Sequence, residues 1–412
     1  MKCGLKLKCE DTDKNSKKKM IEKNTQIKEK QIMKNIILLL LLTLIPSIAS
    51  AAAKIVVDDT KWVSIGAGLR TTFTAVEDGA DGGDSYSKDF AVQSVRLYLN
   101  GQLHENLKLE FNTECHNDCT VDKDVEILDA IVKFEFMSEF NVWAGRMLQP
   151  TDRIELNGPY FGLTWNQYNV ALLPADYSTG NAGQFGRDEG VTVWGSFDKF
   201  QYAVGIFDGL EGGANVKDNM TYVGRFSYNF LNKEPNPGYY TSSTYFGEAG
   251  DIFTVAFAVQ HQSDGTGTAT EQGDFTAYLV DYLFEKPLGD DLGVLTIEGE
   301  YKIFDAETSA AALADPSCFC MFDGDAFFVS AAYLLPKKIG IGQFQPYVRY
   351  VENTPDGSNF GRDSDLYELG TNYIISGHNA KVNFNYTSGD ASLTGRAGSD
   401  VNAFSAGVQF QF

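Results

Sequence analysis

From about residue 54 to the C-terminus, apolar and polar positions alternate. Leu295, Ile297, Gly299, Tyr301 and Ile303 interleave with Thr296, Glu298, Glu300 and Lys302. The same period sets Ala380, Val382, Phe384 and Tyr386 against Lys381, Asn383 and Asn385. In the last segment, Phe404, Ala406, Val408, Phe410 and Phe412 alternate with Ser405, Gly407, Gln409 and Gln411. Successive side chains on a strand point to opposite faces, so each segment has one oily face and one wet face. The pattern predicts sixteen strands: 62–73, 91–102, 107–114, 125–136, 140–147, 189–196, 200–207, 220–230, 252–262, 274–285, 293–304, 325–335, 344–352, 365–375, 379–388 and 402–412. A spacing of roughly 22 residues per strand and loop suits transmembrane strands of about 9–11 residues.

The connections divide into two kinds. His104-Glu105-Asn106, Met137-Ser138-Glu139, Asp198-Lys199 and Ser376-Gly377-His378 are short. Segments 74–90, 115–124, 148–188, 208–219, 263–273, 305–324, 353–364 and 389–401 are long and fall on the opposite side. Short turns on one side and long loops on the other are a property of bacterial outer-membrane barrels. Residues 231–251, with Pro235 and Pro237, break the rule by lying on the short side, and the sequence offers no reason. A secreted soluble β protein would alternate too. The loop asymmetry, an export signal and aromatics near strand ends (Trp62, Phe136, Phe140, Tyr386, Phe412) favour lipid around the oily face. The expected fold is all-β: a transmembrane antiparallel barrel of about sixteen strands over residues 52–412.

The export signal is read from Met33-Lys34-Asn35, the apolar run Ile36–Ile45 and the small-residue end Ala49-Ser50-Ala51. That makes 33–51 a signal peptide, too short in its apolar part to span a bilayer as a helix. Residues 1–32 precede a complete signal, so they are read as a gene-model extension with translation starting at Met33.

Charge narrows the function. The formal net charge is −21, and residues 1–51 alone carry 11 Lys and 5 acids. The body is therefore strongly acidic, which argues against nucleic-acid binding. With 40 Gly, 20 Tyr and 29 Phe, the composition also excludes disorder, collagen and a helical bundle. If the oily register faces lipid, the other register lines a hydrated lumen. Its basic positions are then Arg70, Arg96, Lys108, Lys133, Arg225, Lys302, Arg349 and Lys381, candidates for attracting anions. Glu110, Asp129, Glu135, Glu298, Glu300 and Glu368 share that register, and pairing with them is the bland reading. Segment 148–188 carries Tyr160, Phe161, Leu163, Trp165, Tyr168, Leu172 and Leu173, so it is expected to fold inward as a constriction loop, flanked by Arg153 and Arg187. An outer cap is the alternative.

Cys115, Cys119, Cys318 and Cys320 lie in long loops on the oxidising side and are candidates for disulfides with open connectivity. Because a Cys-x-Cys ring is tight, a bridge between loops is one option. A soft-metal site at Cys115, Cys119 and His116 is the sharper alternative. No haem-attachment motif, nucleophile elbow or phosphate-binding loop occurs, so neither an enzyme nor a cofactor is expected.

Some motifs are more specific. Phe140-Asn141-Val142-Trp143-Ala144-Gly145-Arg146 with Pro150 and Glu155 resembles the phosphate-selective porin O and P family. So do Arg187-Asp188-Glu189-Gly190-Val191, Gly195, Tyr202-Ala203-Val204-Gly205-Ile206-Phe207-Asp208-Gly209 and Gly224-Arg225-Phe226. In overall style, with Gly238-Tyr239-Tyr240 and Gly250-Asp251-Ile252, the chain is most similar to family members encoded in selenite/tellurite-reduction operons. The resemblance implies a homotrimeric outer-membrane porin with an inward third loop, ion transport and a preference for oxyanions such as phosphate or selenite. The terminal Phe412 is similar to the signal read by the barrel assembly machinery. Outer-membrane lipid and small hydrophilic solutes are the expected partners. A barrel sheathing an electron-transfer cytochrome is the alternative function.

Overall fold

The computed structural model describes residues 53–116, 125–172, 186–289, 291–356 and 361–412. The expected signal peptide and the stretch before it lie outside the described residues. A short strand, β1 (Ala53–Val56), precedes sixteen longer ones: β2 (Trp62–Val76), β3 (Asp89–His104), β4 (Leu107–His116), β5 (Glu126–Met137), β6 (Phe140–Leu148), β7 (Arg187–Phe197), β8 (Phe200–Phe207), β9 (Thr221–Asn229), β10 (Ile252–Gly267), β11 (Gln272–Pro287), β12 (Val294–Ala306), β13 (Gly324–Leu334), β14 (Gln343–Pro355), β15 (Ser364–Ser376), β16 (Ala380–Ala391) and β17 (Ala397–Gln411). From β2 to β17 each strand pairs antiparallel with its sequence neighbour, and β17 closes on β2 with Gln411 opposite Gly68. Closure leaves the barrel strands without a free edge, as a lipid environment requires.

The two faces are inverted relative to a soluble protein. Tyr301 is 48 % exposed and the adjacent Lys302 is 0 % exposed. Leu69, Leu97, Phe384 and Phe410 are likewise exposed, while Arg70, Arg96, Asn383 and Gln409 are buried. Oily side chains therefore point outward and polar ones into the barrel. Rings on neighbouring strands pack along the outer surface, as with Tyr350 and Tyr367 at 4.7 Å and Phe136 and Phe140 at 6.1 Å. Trp62 departs from the expected girdle. It shares the inward register with Gly66, Gly68 and Arg70, and its ring lies 4.2 Å from Lys54 Nζ.

β1 was not anticipated. It pairs with Trp62–Ile65 and continues the line of β17, whose terminal Phe412 exchanges backbone hydrogen bonds with Ala67 (3.1 and 3.0 Å). The turn between β1 and β2 is fixed by Asp58, whose Oδ1 accepts from the Thr60 and Lys61 amides at 2.9 and 2.8 Å. The Lys61 ammonium and these amides hold the Asp58 carboxyl well below the usual range.

The sequence left the pairing of the cysteines open. Cys318 and Cys320 bond to each other within the β12–β13 connection, their Cα atoms 5.2 Å apart, and not across loops. That spacing lies inside the range a disulfide spans. Phe319 between them exchanges backbone hydrogen bonds with Gly267 at the tip of β10 (3.0 and 2.9 Å), which already shapes the turn. Cys115 is also disulfide-bonded, so its sulfur is no thiolate for a soft metal. Cys119 lies outside the described residues.

Candidate functional site

The inward register brings the eight predicted basic side chains into the barrel, where they form two unlike sets. The first set lies on β3–β7. Arg96 and Glu114 are direct cross-strand partners and form an ion pair. Lys108 and Lys133 also face each other directly, an arrangement that repels. Each escapes along a diagonal: Lys108 pairs with Glu135 and Lys133 with Glu110. Lys133 also sits 3.8 Å from the Trp143 ring. Arg187 is the first residue of β7 and not part of the preceding loop, and its Nε lies 2.8 Å from Asp129.

The second set holds chain segments that enter the lumen. Arg70 donates to the Trp165 carbonyl at 2.7 Å, Lys381 to that of Gly162 at 2.8 Å, and Arg349 to those of Asn166 and Gln167 at 2.9 and 2.7 Å. Arg225 pairs with Asp281 and donates to the Thr151 carbonyl at 2.7 Å. Lys302 pairs with Asp152 and lies 3.2 Å from Glu300. Residues 149–172 are thus bonded to side chains of β2, β9, β12, β14 and β16, all of which face inward. Within this segment helix α1 (Arg153–Phe161) starts where Asp152 accepts from the Glu155 amide at 2.7 Å. Residues 173–185 lie outside the described residues. Gly407 on β17 leaves room for Trp165, whose ring a Cβ there would strike.

A second segment enters from the opposite end. The 231–251 connection turns into the barrel and buries Tyr239, Ser242, Ser243 and Thr244. Tyr239 donates to the Leu148 carbonyl (2.6 Å), Thr241 to that of Arg153 (3.0 Å), and Asn157 to the Ser243 hydroxyl (2.7 Å). Arg153 joins both segments to the wall, with ion pairs to Glu234 (2.7 Å) and Asp281 (3.2 Å). The break in the loop rule is thereby explained: the long connection on the short side is a luminal element. Gly238 has φ +61° and lies against the Trp143 ring, so neither its backbone nor its space suits another residue.

Apolar clusters fill part of the lumen. Ile154, Val170 and Ala171 pack with Leu210, Phe275, Phe304 and Phe328 in one cluster, and Trp143, Met147, Leu156, Phe207 and Tyr239 form another. The mixed hydrated wall expected from alternation is therefore interrupted over β10–β15 by apolar packing. A cavity of about 700 Å³ lies on the β2–β7 side, bordered by Arg96, Lys108, Lys133 and Arg187 and by Asn236, Pro237, Gly238, Tyr240 and Thr241.

Sequence reasoning missed Glu114, Glu234 and Asp281, the partners that neutralise the cations. One signal existed. On β11 both registers are apolar, with Phe275, Ala277, Leu279 and Leu283 on one face and Tyr278, Val280 and Phe284 on the other. Such a strand needs protein on its luminal side, and the acids Asp281 and Glu285 in that row need fixed partners. Among the described residues no group of three or more His, Cys, Asp or Glu could hold a metal ion.

Solved structures share this architecture. OmpT of Vibrio cholerae, in its trimer form, superposes with a TM-score of 0.51 at 16 % identity, covering 86 % of this chain and 100 % of that one. An anion-selective porin from Comamonas acidovorans gives 0.52 at 13 % identity, covering 85 % and 100 %. The outer-membrane channel DcaP of Acinetobacter baumannii gives 0.51 at 12 %, covering 87 % and 100 %. At such identities the likeness establishes the fold, a sixteen-stranded barrel of the bacterial outer membrane. No curated protein matches significantly by sequence. The family profile for phosphate-selective porin O and P matches residues 63–271 and 296–412, most of the barrel, and the chain belongs to that family.

Proposed function

We propose that this porin is a passive, water-filled passage for small hydrophilic solutes. The single observation carrying this is the cavity of about 700 Å³ beside β2–β7 inside the barrel. Residues 149–172 and 231–251, held together by Arg153, set the size limit. Liposome swelling with solutes of increasing mass tests it: fast entry of the smallest and exclusion of larger ones is expected, and no entry above protein-free liposomes refutes it.

Oxyanions such as phosphate or selenite are the solutes the family suggests, and one structural neighbour is named as anion-selective. Geometry gives that preference little support, because the cations bordering the cavity each hold a carboxylate. The cytochrome-sheath reading is weaker still, since two chain segments occupy the space a haem protein would need. A homotrimer accords with the trimer form of the OmpT neighbour, and the exposed Phe412 at the end of β17 accords with recognition by the assembly machinery.

A further inference from the structure

The ion pairs of the lumen differ in what can reach them. Those that anchor the luminal segments are sealed: Lys302 and Asp152 are buried, and so is Asp281 between Arg153 and Arg225. On β4 and β5 another arrangement faces the cavity. Lys108 and Lys133 are direct cross-strand partners, Glu110 lies two residues beyond Lys108 on β4, and Glu135 lies two beyond Lys133 on β5. Residues two apart share a face and the strands run antiparallel, so the two acids flank the two lysines from opposite ends. Lys108 pairs with Glu135 and Lys133 with Glu110, a quartet of zero net charge whose four members all line the cavity. The Lys108–Glu135 pair is the open one, its side chains 34 % and 22 % exposed, against 9 % and 15 % for Lys133 and Glu110. Aromatic rings line the same cavity, with Phe161 exposed and Trp62, Tyr98 and Trp194 half-buried.

We propose that this quartet and the rings around it form a binding subsite for zwitterionic solutes, α-amino acids with apolar side chains, which rests on the reading of the lumen as a passage. A partly exposed ion pair is weakly held, so it opens to a solute that replaces both partners at once. An amino acid does so: its carboxylate takes the Lys108 ammonium, its ammonium takes the Glu135 carboxylate, and no charge is left alone. A simple anion satisfies the lysine and leaves Glu135 without its cation in a confined site, and a simple cation does the converse. A neutral solute gains neither ion pair. The apolar side chain then leaves water for the aromatic lining. The volume of about 700 Å³ lies within the roughly 300–1,000 Å³ of small-molecule sites.

The test uses the mature chain refolded in non-ionic detergent and, separately, in planar bilayers at neutral pH. Leucine is the probe, set against 4-methylpentanoate (leucine without its amine), 3-methylbutylamine (leucine without its carboxylate) and glycine (no side chain). Tryptophan fluorescence in detergent reads binding whether or not the barrel conducts, because Trp194 lines the cavity and the Trp143 ring lies 3.8 Å from Lys133. Leucine should give a saturable change, the singly charged analogues should need at least tenfold higher concentration, and glycine about threefold. In bilayers, saturating leucine is expected to lower the single-channel current at least twofold. The double variant Lys108→Gln/Glu135→Gln removes both charges of the open pair together, so neither is orphaned, and should raise the half-saturating leucine concentration at least tenfold. The matched probes on the unaltered chain decide the matter even if that variant does not refold. No leucine effect in detergent, equal potency of any of the other three probes, or undiminished leucine binding by the refolded double variant overturns the proposal. A leucine-binding barrel that never conducts would leave this site standing and remove the pore reading, whereas conductance without leucine binding does the reverse.

Discussion

The two sides of the lumen use the same kind of residue for different ends. On β3–β7, Arg96, Lys108, Lys133 and Arg187 pair with carboxylates of the wall and border open space. On β2, β14 and β16, Arg70, Arg349 and Lys381 donate to loop carbonyls and border packed chain. Direction along a strand says only that a side chain points inward. What it meets there decides whether it shapes a solute's path or holds a plug. The number of cations on the inward register is therefore no measure of anion preference.

The comparison can be broken from either side. The largest effect is expected at Arg153, which bridges both luminal segments to the wall. Arg153→Ala leaves Glu234 buried without its cation, a change costing about 3–5 kcal/mol. The luminal segments should loosen while the barrel persists, which a larger, noisier conductance and faster proteolysis of 231–251 would reveal. Gly238→Ala comes next. It forces a Cβ onto Trp143 from a φ of +61°, a cost of order 1–3 kcal/mol that should appear as a lower melting temperature. On the open side, Glu110→Gln frees Lys133, and Glu135→Gln frees Lys108. The double variant should move the reversal potential toward anions and lower stability, because Lys133 is buried, whereas Lys381→Met on the packed side should change stability and leave selectivity alone. The smallest effect concerns pH. Burial, with Lys381 beside it, pushes the His378 imidazole in the β15–β16 turn down to about 3. Its unfolded state takes up a proton near pH 6.5 while the folded state does not, so stability falls as pH drops from about 6.5 toward 3, by at most about 1.4 kcal/mol per pH unit. His378→Gln should flatten that slope in a melting series.

How far the sequence carried the fold follows from what alternation encodes. Tyr301 beside Lys302, or Phe384 beside Asn383, states the face of each residue outright, and sixteen such segments state the barrel. The lumen was less legible. Arg349 looks the same in sequence whether it meets a solute or the Gln167 carbonyl, because that contact joins residues far apart in the chain. Trp62 misled because an aromatic at a strand end fits a girdle, yet two-residue counting from Arg70 puts it inside. The 231–251 connection was legible as an anomaly only. Its Tyr239-Tyr240 pair marks a segment that seeks burial, but nothing local says that the place is beneath α1.

The most direct test is the reversal potential of the mature porin in a planar bilayer under a potassium chloride gradient. Internally neutralised charges predict stepwise openings whose potential lies at zero or slightly to the cation side. A potential clearly on the anion side, or a membrane that stays silent, would contradict the account.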